Sequence, residues 1–576
     1  MTDFRFIFSA DAHTGRYEPG TKAWQEVLEE VKDLSPKPDF IILGGDMVET
    51  GFDWEYEIFN KTIANYPIPV YVAMGNHESR WTEDLYQSYT KYFGSPSYSF
   101  EHKGIHFVTL DTTIYGQAYG HLEKAVLDWL SEDAKSLAPE KPVVIFSHHP
   151  LAYPTEFTDN WERVFEVLAG RNPVLHLAGH GHAAVAWNFN NIPCFMAPAV
   201  MSNQYLICDV CEDEIKIYQK TIGKEPNYWQ SAQLDKKPLQ SFPVPSAPKY
   251  YHWCYKTGGA IYRAVAVGEK EVIVGSSDGV LHCVDKQNGK VLWLYKTGGM
   301  LVGEPVLTKI NNEPAVICTS GRGVVLALRI ADGKLLWQHQ TKRALSSSPA
   351  VFNNQVYFGQ PHVFTALELL TGEPLWQKEI KGLVNVKPAV NETGVFFGAW
   401  DGNFHAYSHG GEMLWQKEIA DLFYFSPSTG HPQLAGDKIV FTSGVHQQKG
   451  GVWALKSQTG EVLWTQAISA NYCTPLIYLD TVYVTDLAGR VYAFDLESGT
   501  QKWVIELMRE VFNNQPLYFK GHLLINTLRK SIADIDLETL TFKFIDLTKC
   551  YLLSQLRTDG ESIFIGAFDE CLYAFK

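Results

Sequence analysis

The feature that most constrains this chain is a repeat. Sliding the sequence against itself aligns a short apolar strand, a few turn residues, a glycine, three residues and a tryptophan, at Trp293, Trp337, Trp376, Trp415, Trp464 and Trp503. A degenerate copy puts Leu540 and Phe544 in the glycine and tryptophan places. The spacings are 44, 39, 39, 49, 39 and 41 residues. A period near 40 with several short strands per unit predicts a propeller blade, four strands that bury their faces against the next blade. The glycine answers to a turn with positive φ. The tryptophan offers a flat body to wedge between blades, with an N–H that seeks a backbone acceptor.

The strand before each glycine occurs eight times, the last being Leu572-Tyr-Ala-Phe575, which no tryptophan follows. The missing tryptophan strand lies at the front, His252-Trp253-Cys254-Tyr255, 40 residues before Trp293. Residues 250–576 are therefore expected to form an all-β, eight-bladed propeller closed by pairing their two ends. With Trp253 included, 7 of the 16 tryptophans fall at repeat positions, so they describe a propeller rather than a generally aromatic chain. The region resembles the PQQ-like (quinoprotein-type) repeat family more than WD40, because the Trp400-Asp401 pair is out of phase. In that family the quinone-binding enzymes carry adjacent cysteines and a calcium site on long inserts, and the sequence shows neither. PQQ is not expected, and the propeller reads as a scaffold or binding domain for a protein or ligand.

Residues 1–224 follow another pattern. Apolar runs at 4–8, 40–43, 70–74, 105–110, 143–146 and 174–177 read as buried strands. Residues 21–34 and 121–137 carry apolar residues at helical spacing. The alternation predicts a layered α/β domain. Between 225 and 249 the chain holds Pro226, Pro238, Pro243, Pro245 and Pro248, and reads as a linker.

Charge separates the same two regions. The net charge of −15 is concentrated in residues 1–240, which hold 33 acids and 19 bases (19 − 33 = −14). With no basic cluster, nucleic acid is not an expected partner. Nine scattered cysteines form no disulfide framework and fit a reducing compartment. Cys208-x-x-Cys211 lies in an alternating segment and reads as strand. No apolar run approaches the ~20 residues of a membrane span. The N-terminal strand runs straight into a functional motif, so the expected location is cytoplasmic, or periplasmic or secreted if a leader has been removed.

Five motifs each follow an apolar strand: Asp11-Ala-His13, Gly45-Asp46, Gly75-Asn76-His77-Glu78, His148-His149-Pro150 and Gly179-His180-Gly-His182. Strand carboxyl ends are where functional groups converge in layered α/β proteins. One such motif is an ordinary turn, but five in order are a constellation. Carboxylate, imidazole and amide donors suit borderline divalent ions such as Mn²⁺, Fe²⁺ or Zn²⁺.

Residues 3–220 resemble the calcineurin-like metallophosphoesterase family, in these motifs and in Tyr98-Ser-Phe100, the segment Ile105–Asp111, Asp128-Trp129-Leu130 and the segment Ile192–Pro198. The resemblance implies a β-sandwich flanked by helices. It also implies two divalent ions, one held by Asp11, His13, Asp46 and His182, the other by Asp46, Asn76, His148 and His180. Asp46 would bridge them, and a metal-bridging hydroxide would attack a phosphomonoester or phosphodiester. His77 would contact the phosphate and protonate or stabilise the leaving oxygen. His13, with Glu49 three residues after Asp46, sets the chain apart from the purple acid phosphatase branch, which replaces the first histidine and adds a tyrosine at that offset.

His149 reads equally as a ligand neighbour or a solvated residue, and His106 and His176 as core or surface residues. Arg80, Trp81, Tyr115, Tyr119 and Tyr153 lie on loops after the motif strands, with Arg80 the candidate phosphate contact. The expected protein is a metal-dependent phosphoesterase acting on a small phosphorylated substrate. Its rival is a propeller-centred binding or assembly protein with a vestigial phosphoesterase site, and metal content discriminates the two.

Overall fold

The structure, a computed structural model, describes residues 3–576 apart from 156, 236, 242–249, 447–448 and 548–551. The chain divides into two compact units, Met1–Pro245 and Ser246–Lys576.

The first unit begins with β1 (Phe4–Ser9), α1 (Glu18–Lys32), β2 (Phe40–Leu43), α2 (Asp53–Ile63), β3 (Val70–Val72), α3 (Asn76–Arg80) and α4 (Gln87–Phe93). It continues with β4 (Tyr98–His102), β5 (Ile105–Leu110), α5 (Lys124–Lys135), β6 (Pro142–Ser147), α6 (Glu162–Val167) and β7 (Asn172–Ala178). β8 (Val185–Phe189), β9 (Ile192–Met196), β10 (Gln204–Val210), β11 (Glu214–Thr221) and β12 (Asn227–Gln233) complete it. Two six-stranded sheets result, in the orders β12-β11-β10-β1-β2-β3 and β4-β5-β6-β7-β9-β8. Within them β1-β2-β3 and β5-β6-β7-β9 run parallel.

The period of two along each strand assigns side chains to layers. Phe4, Phe6 and Phe8 of β1, with Phe40 and Ile42, meet Phe107, Val144, Phe146, Leu175 and Leu177 of the other sheet in one core. The alternate residues Ile7, Ile41 and Leu43 turn outward onto Trp24, Val27, Leu28 and Val31 of α1 and Tyr56 and Phe59 of α2. On the far side Val108, Val143 and Ile145 meet Leu130, Val164 and Phe165 of α5 and α6. Strands buried on both faces must be continuously apolar, and these are. The product is a β-sandwich with helices on both outer faces.

Some boundaries differ from the sequence reading. α1 starts at Glu18 because Pro19 is suited to a first turn, and β3 stops at Val72, just short of the loop that carries the Asn76 motif. The stretch expected to be linker from residue 225 is corrected: Asn227–Gln233 is β12, paired with β11 and burying Ala232. Pro226 and Pro238 flank it, and it is an edge strand, where a nearby proline is tolerated. Pro243, Pro245 and Pro248 lie outside the described residues. Cys208 is a buried core residue of β10.

The second unit is an eight-bladed propeller. Its eight sheets have four strands each, except one of three in which the 14-residue strand Gln355–Glu368 covers two strand lengths. The ring closes as expected: Trp253–Lys256 pairs antiparallel with the C-terminal strand, Trp253 opposite Ala574 and Lys256 opposite Cys571. The repeat residues form the joints between blades. Trp253, Trp293, Trp337, Trp376, Trp415 and Trp464 donate their indole N–H to the backbone carbonyls of Lys286, Ile330, Leu369, His409, Ser457 and Leu496, at 2.7–3.0 Å. Each such tryptophan also lies under the glycine of the following blade. A Cβ on Gly372 would stand 2.4 Å from the Trp337 ring, and Gly372 has φ +75. The glycine is thus required twice, for its left-handed backbone and for the ring beneath it.

Candidate metal centre

All five motifs leave the carboxyl ends of parallel strands: Asp11 and His13 after β1, Asp46 after β2, Asn76 and His77 after β3 at the start of α3, His148 after β6, and His180 and His182 after β7. The loops hold an unusual backbone. Asp11 (φ 58), His13 (φ 49), Asp46 (φ 50), His180 (φ 72) and His182 (φ 56) are all left-handed, a region non-glycine residues seldom occupy and which clusters at functional sites. Bonds between loops hold it there: Asp11 N–H to Gly45 O (3.0 Å), His13 N–H to Asp46 O (2.9 Å) and Gly179 N–H to His148 O (3.0 Å).

The side chains converge in two groups that share Asp46. In one, His148 Nε2, Asn76 Oδ1 and His180 Nδ1 lie 2.8–3.1 Å from one another, and Asp46 Oδ2 is 3.3 Å from His148 Nε2. In the other, Asp11, His13, Asp46 and His182 bring their ligand atoms within 4.8 Å of one another. There His13 Nε2 is 3.3 Å from His182 Nε2 and 3.9 Å from Asp46 Oδ2, and His182 Nε2 is 3.4 Å from Asp11 Oδ1. The structure thus brings together the residues that the resemblance had grouped, and it sets His149 beside His148 and His180 as well. Asp11, Asp46 and His148 are buried, whereas the His182 side chain is 45% exposed and marks the side open to solvent.

Outer partners aim the rings. His148 Nδ1 lies 3.0 Å from Gly44 O and His13 Nδ1 lies 2.8 Å from Glu49 Oε2, so each ring directs Nε2 inward. Burial alone would lower both histidines; the Glu49 bond together with Asp46, Glu49 and Asp11 raises His13 to about 9, and chiefly Asp46 raises His148 to about 9. Asp46 is held well below the usual carboxylate range, its burial outweighed by His148, His77 and His13. Buried acids that attract protons onto two imidazoles form a cavity that demands positive charge, and the donor set fits divalent cations in place of those protons.

The motif glycines permit this approach. A Cβ on Gly45 would stand 2.5 Å from His148 Nδ1, one on Gly75 2.2 Å from Asp46 Oδ1, and one on Gly179 3.0 Å from Asp11 Oδ2. Glu78 ties two loops together: its carboxylate accepts the N–H groups of Asp46 (3.0 Å), Val48 (3.0 Å) and Gly75 (2.6 Å). Burial and then Asp46 raise Glu78 to about 8 against those bonds.

His77 donates its N–H to Asp46 Oδ1 (2.9 Å), and its Nδ1 is 2.7 Å from Glu49 O. Its Nε2 is 3.9 Å from Asp46 Oδ2, which places the ring beside the shared carboxylate. Burial lowers His77 to about 4. Arg80 lies over the Trp81 ring at 4.2 Å, and Trp81 meets the His77 ring edge-on at 5.3 Å. Trp81 and Tyr115 are buried, so Trp81 supports His77 rather than lining a pocket. Tyr153 touches Phe157, whose ring meets His180 at 5.1 Å. His149 is buried between Thr112 Oγ1 (2.9 Å) and Ala118 O (3.2 Å). His176 is a core residue whose Nε2 accepts the Leu151 N–H (3.0 Å). The sequence reading gave no structural part to Glu49, Glu78 and Phe157. Glu78 had a signal as the residue completing the Gly-Asn-His motif, and Glu49 had one as the residue three after Asp46; Phe157 had none.

A β-sandwich that presents these motifs from its parallel strand ends defines the metal-dependent phosphoesterase class. Residues 4–184 match the calcineurin-like phosphoesterase family. Residues 227–397, 321–474 and 400–517 match the family described as outer membrane protein assembly factor BamB. The chain is a calcineurin-like metallophosphoesterase followed in sequence by a propeller of BamB-like, PQQ-type repeats.

Among similar proteins is the "Probable glycerophosphodiester phosphodiesterase GpdQ" of Arcobacter nitrofigilis, 28% identical over 226 residues, 37% of this chain and 81% of that one. The 3',5'-cyclic-nucleotide phosphodiesterase of a Nostoc species is 27% identical over 28% of this chain and 62% of its own length. The cAMP/cGMP dual specificity phosphodiesterase of Mycobacterium tuberculosis is 26% identical over 31% of this chain and 60% of its own. Of these two the chain thus spans less than two thirds. The crystal structure of BamB from Moraxella catarrhalis covers 56% of this chain at 13% identity, with a TM-score of 0.47.

Proposed function

We propose that the first unit is a dinuclear-metal phosphodiesterase acting on a small phosphodiester. The observation that carries the reading is the sharing of Asp46: its carboxylate stands between His148 Nε2 at 3.3 Å and His13 Nε2 at 3.9 Å, at the junction of two ligand quartets. Asp11, His13, Asp46 and His182 would hold one ion, and Asp46, Asn76, His148 and His180 the other. Such a pair, when bound, draws on the oxygens of a phosphate and acidifies water.

The chain's own residues do the rest. Asp46 fixes both quartets, and Glu49 and Gly44 orient His13 and His148. His77, beside the shared carboxylate and neutral at pH 7, carries its ring proton on Nδ1, which donates to Glu49 O; Nε2 is then an acceptor, and it delivers a proton to a leaving oxygen only after taking one up. Arg80, stacked on Trp81, is the candidate counter-charge for the phosphate. The preference for a diester follows the names of the similar proteins, which act on glycerophosphodiesters and cyclic nucleotides. A reducing, cytoplasmic setting accords with the eight free cysteines among the described residues.

Protein loaded with Mn²⁺ should bind two equivalents and cleave bis-p-nitrophenyl phosphate, and Asp46→Asn and His180→Ala should each abolish turnover. Absence of bound transition metal after gentle purification, or equal activity in both variants, would overturn the reading and favour a protein that works through its propeller.

A further inference from the structure

The propeller holds a polar cavity that the phosphoesterase does not use. The first strands of neighbouring blades touch one another, so they line the ring's axis. At their entrances lies a cavity of about 450 Å³, lined by Glu304, Lys387, His431, Gln515 and Arg557 together with Leu476, Leu517 and other apolar residues. Five different blades supply these polar side chains.

Their pairing leaves donors in excess. Glu304 is 4% exposed; one oxygen takes the Arg557 guanidinium and the other the Lys387 ammonium at 3.2 Å. Burial would raise Glu304, but Arg557 and Lys387 hold it far below the usual carboxylate range, so it is ionised. Arg557 also donates to Gln515 Oε1 (3.1 Å) and Leu556 O (2.9 Å). With its acceptors already engaged by two cations, this wall of the cavity carries a net positive charge.

His431 supplies the second observation. It is 5% exposed, and its Nδ1 accepts the backbone N–H of Lys387 at 3.0 Å. Burial, and after it Arg263, lower this histidine to about 3, so the ring is neutral at pH 7. Since Nδ1 accepts, the single ring proton must sit on Nε2. That buried N–H has no partner among the described residues. An unpaired buried donor is destabilising and calls for an acceptor.

We propose that this axial cavity is a binding site for a small molecule that carries an oxyanion group on an apolar body. The oxyanion accepts from His431 Nε2–H and from Lys387, and the apolar part lies against Leu476 and Leu517. Donors without free acceptors exclude a cation, and the apolar remainder of the lining favours an organic anion over an inorganic one.

Calorimetric titration of the full chain with phenylphosphonate and with benzoate tests this and separates a phosphoryl from a carboxyl ligand. Titrating the Asp46→Asn protein alongside the parent removes binding at the metal centre from the readout. Binding of either probe that persists in Asp46→Asn, and weakens about tenfold or more when Lys387→Met or His431→Asn is added, is the expected result. Asparagine keeps an acceptor for the Lys387 N–H while deleting the Nε2 donor, which guards against simple misfolding. The proposal is overturned if neither probe binds Asp46→Asn, or if both added variants bind as tightly as it does. In that case the Glu304 cluster serves only to join blades.

Discussion

Gly75→Ala isolates the packing of the metal centre from its chemistry. Gly75 has φ −114 and ψ 177, extended backbone that alanine adopts without strain. The new methyl would nevertheless stand 2.2 Å from Asp46 Oδ1, 2.3 Å from Asp46 N and 2.9 Å from Glu78 Oε2. Ordinary contact begins at 3.4 Å, so the loop and the shared carboxylate must separate by about 1 Å. Asp46 cannot yield freely: its N–H is bonded to Glu78, its Oδ1 takes the His77 N–H and its carbonyl takes the His13 N–H. The displacement therefore spreads to both quartets. Overpacking of this kind costs about 1–3 kcal/mol of stability. Disturbing a ligand's supports weakens metal binding roughly 10–100-fold, and a misplacement of about 1 Å costs on the order of 10²-fold in rate. The assay is kcat/KM for bis-p-nitrophenyl phosphate across a Mn²⁺ titration, with melting temperature measured alongside. We expect a higher metal requirement and, at saturating metal, kcat/KM about 100-fold down in a protein that still folds. Parental kcat/KM at stoichiometric metal would refute the argument that Gly75 exists to admit Asp46.

Three further predictions concern the propeller. Gly372→Ala places a methyl 2.4 Å from the Trp337 ring at φ +75, so left-handed strain and overpacking together should cost about 2–5 kcal/mol, read as a lower melting temperature of the propeller. In the degenerate copy Leu540 already sits at φ 56, and Leu540→Gly should be neutral or stabilising by up to about 1 kcal/mol; a large loss in denaturant unfolding would show that its side chain packs as the blade joint does. Glu304, held down by Arg557 and Lys387, contributes stability that is complete above about pH 4.5, the unfolded carboxylate range, and drains as pH falls below it. Glu304→Gln should thus lower the propeller's melting temperature at pH 7 and flatten its decline between pH 5 and 3; an acid limb as steep as the parent's would contradict the assignment.

The propeller was legible because its rule is local and repeated. One tryptophan and one glycine per blade state the joint, and the odd strands at the two ends, Trp253 and Leu572, state the closure that the pairing of Trp253 with Ala574 realises. The first unit's sandwich was harder: its strands are apolar on both faces, so the sequence marks them as buried without telling which residues face the partner sheet and which the helices. β12 was missed because an edge strand bounded by Pro226 and Pro238 carries the composition of a linker, and only its pairing with β11 distinguishes it.

At the site, residue type and order were enough to mark the donors, because each follows its strand directly and parallel strands deliver their ends to one place; their division into two sets came from the family resemblance. What no spacing could reveal was the set of contacts between loops: Glu49 aiming His13, Glu78 binding the loops of Asp46 and Gly75, and glycines shaped around side chains from other motifs. The same limit hid the axial cavity, whose polar lining residues lie up to 253 positions apart between Glu304 and Arg557. A repeat announces the ring, but the residues that occupy its centre are those that depart from the repeat. The charged and imidazole side chains at the entrances of the first strands are therefore where a propeller of this kind can differ from a pure scaffold.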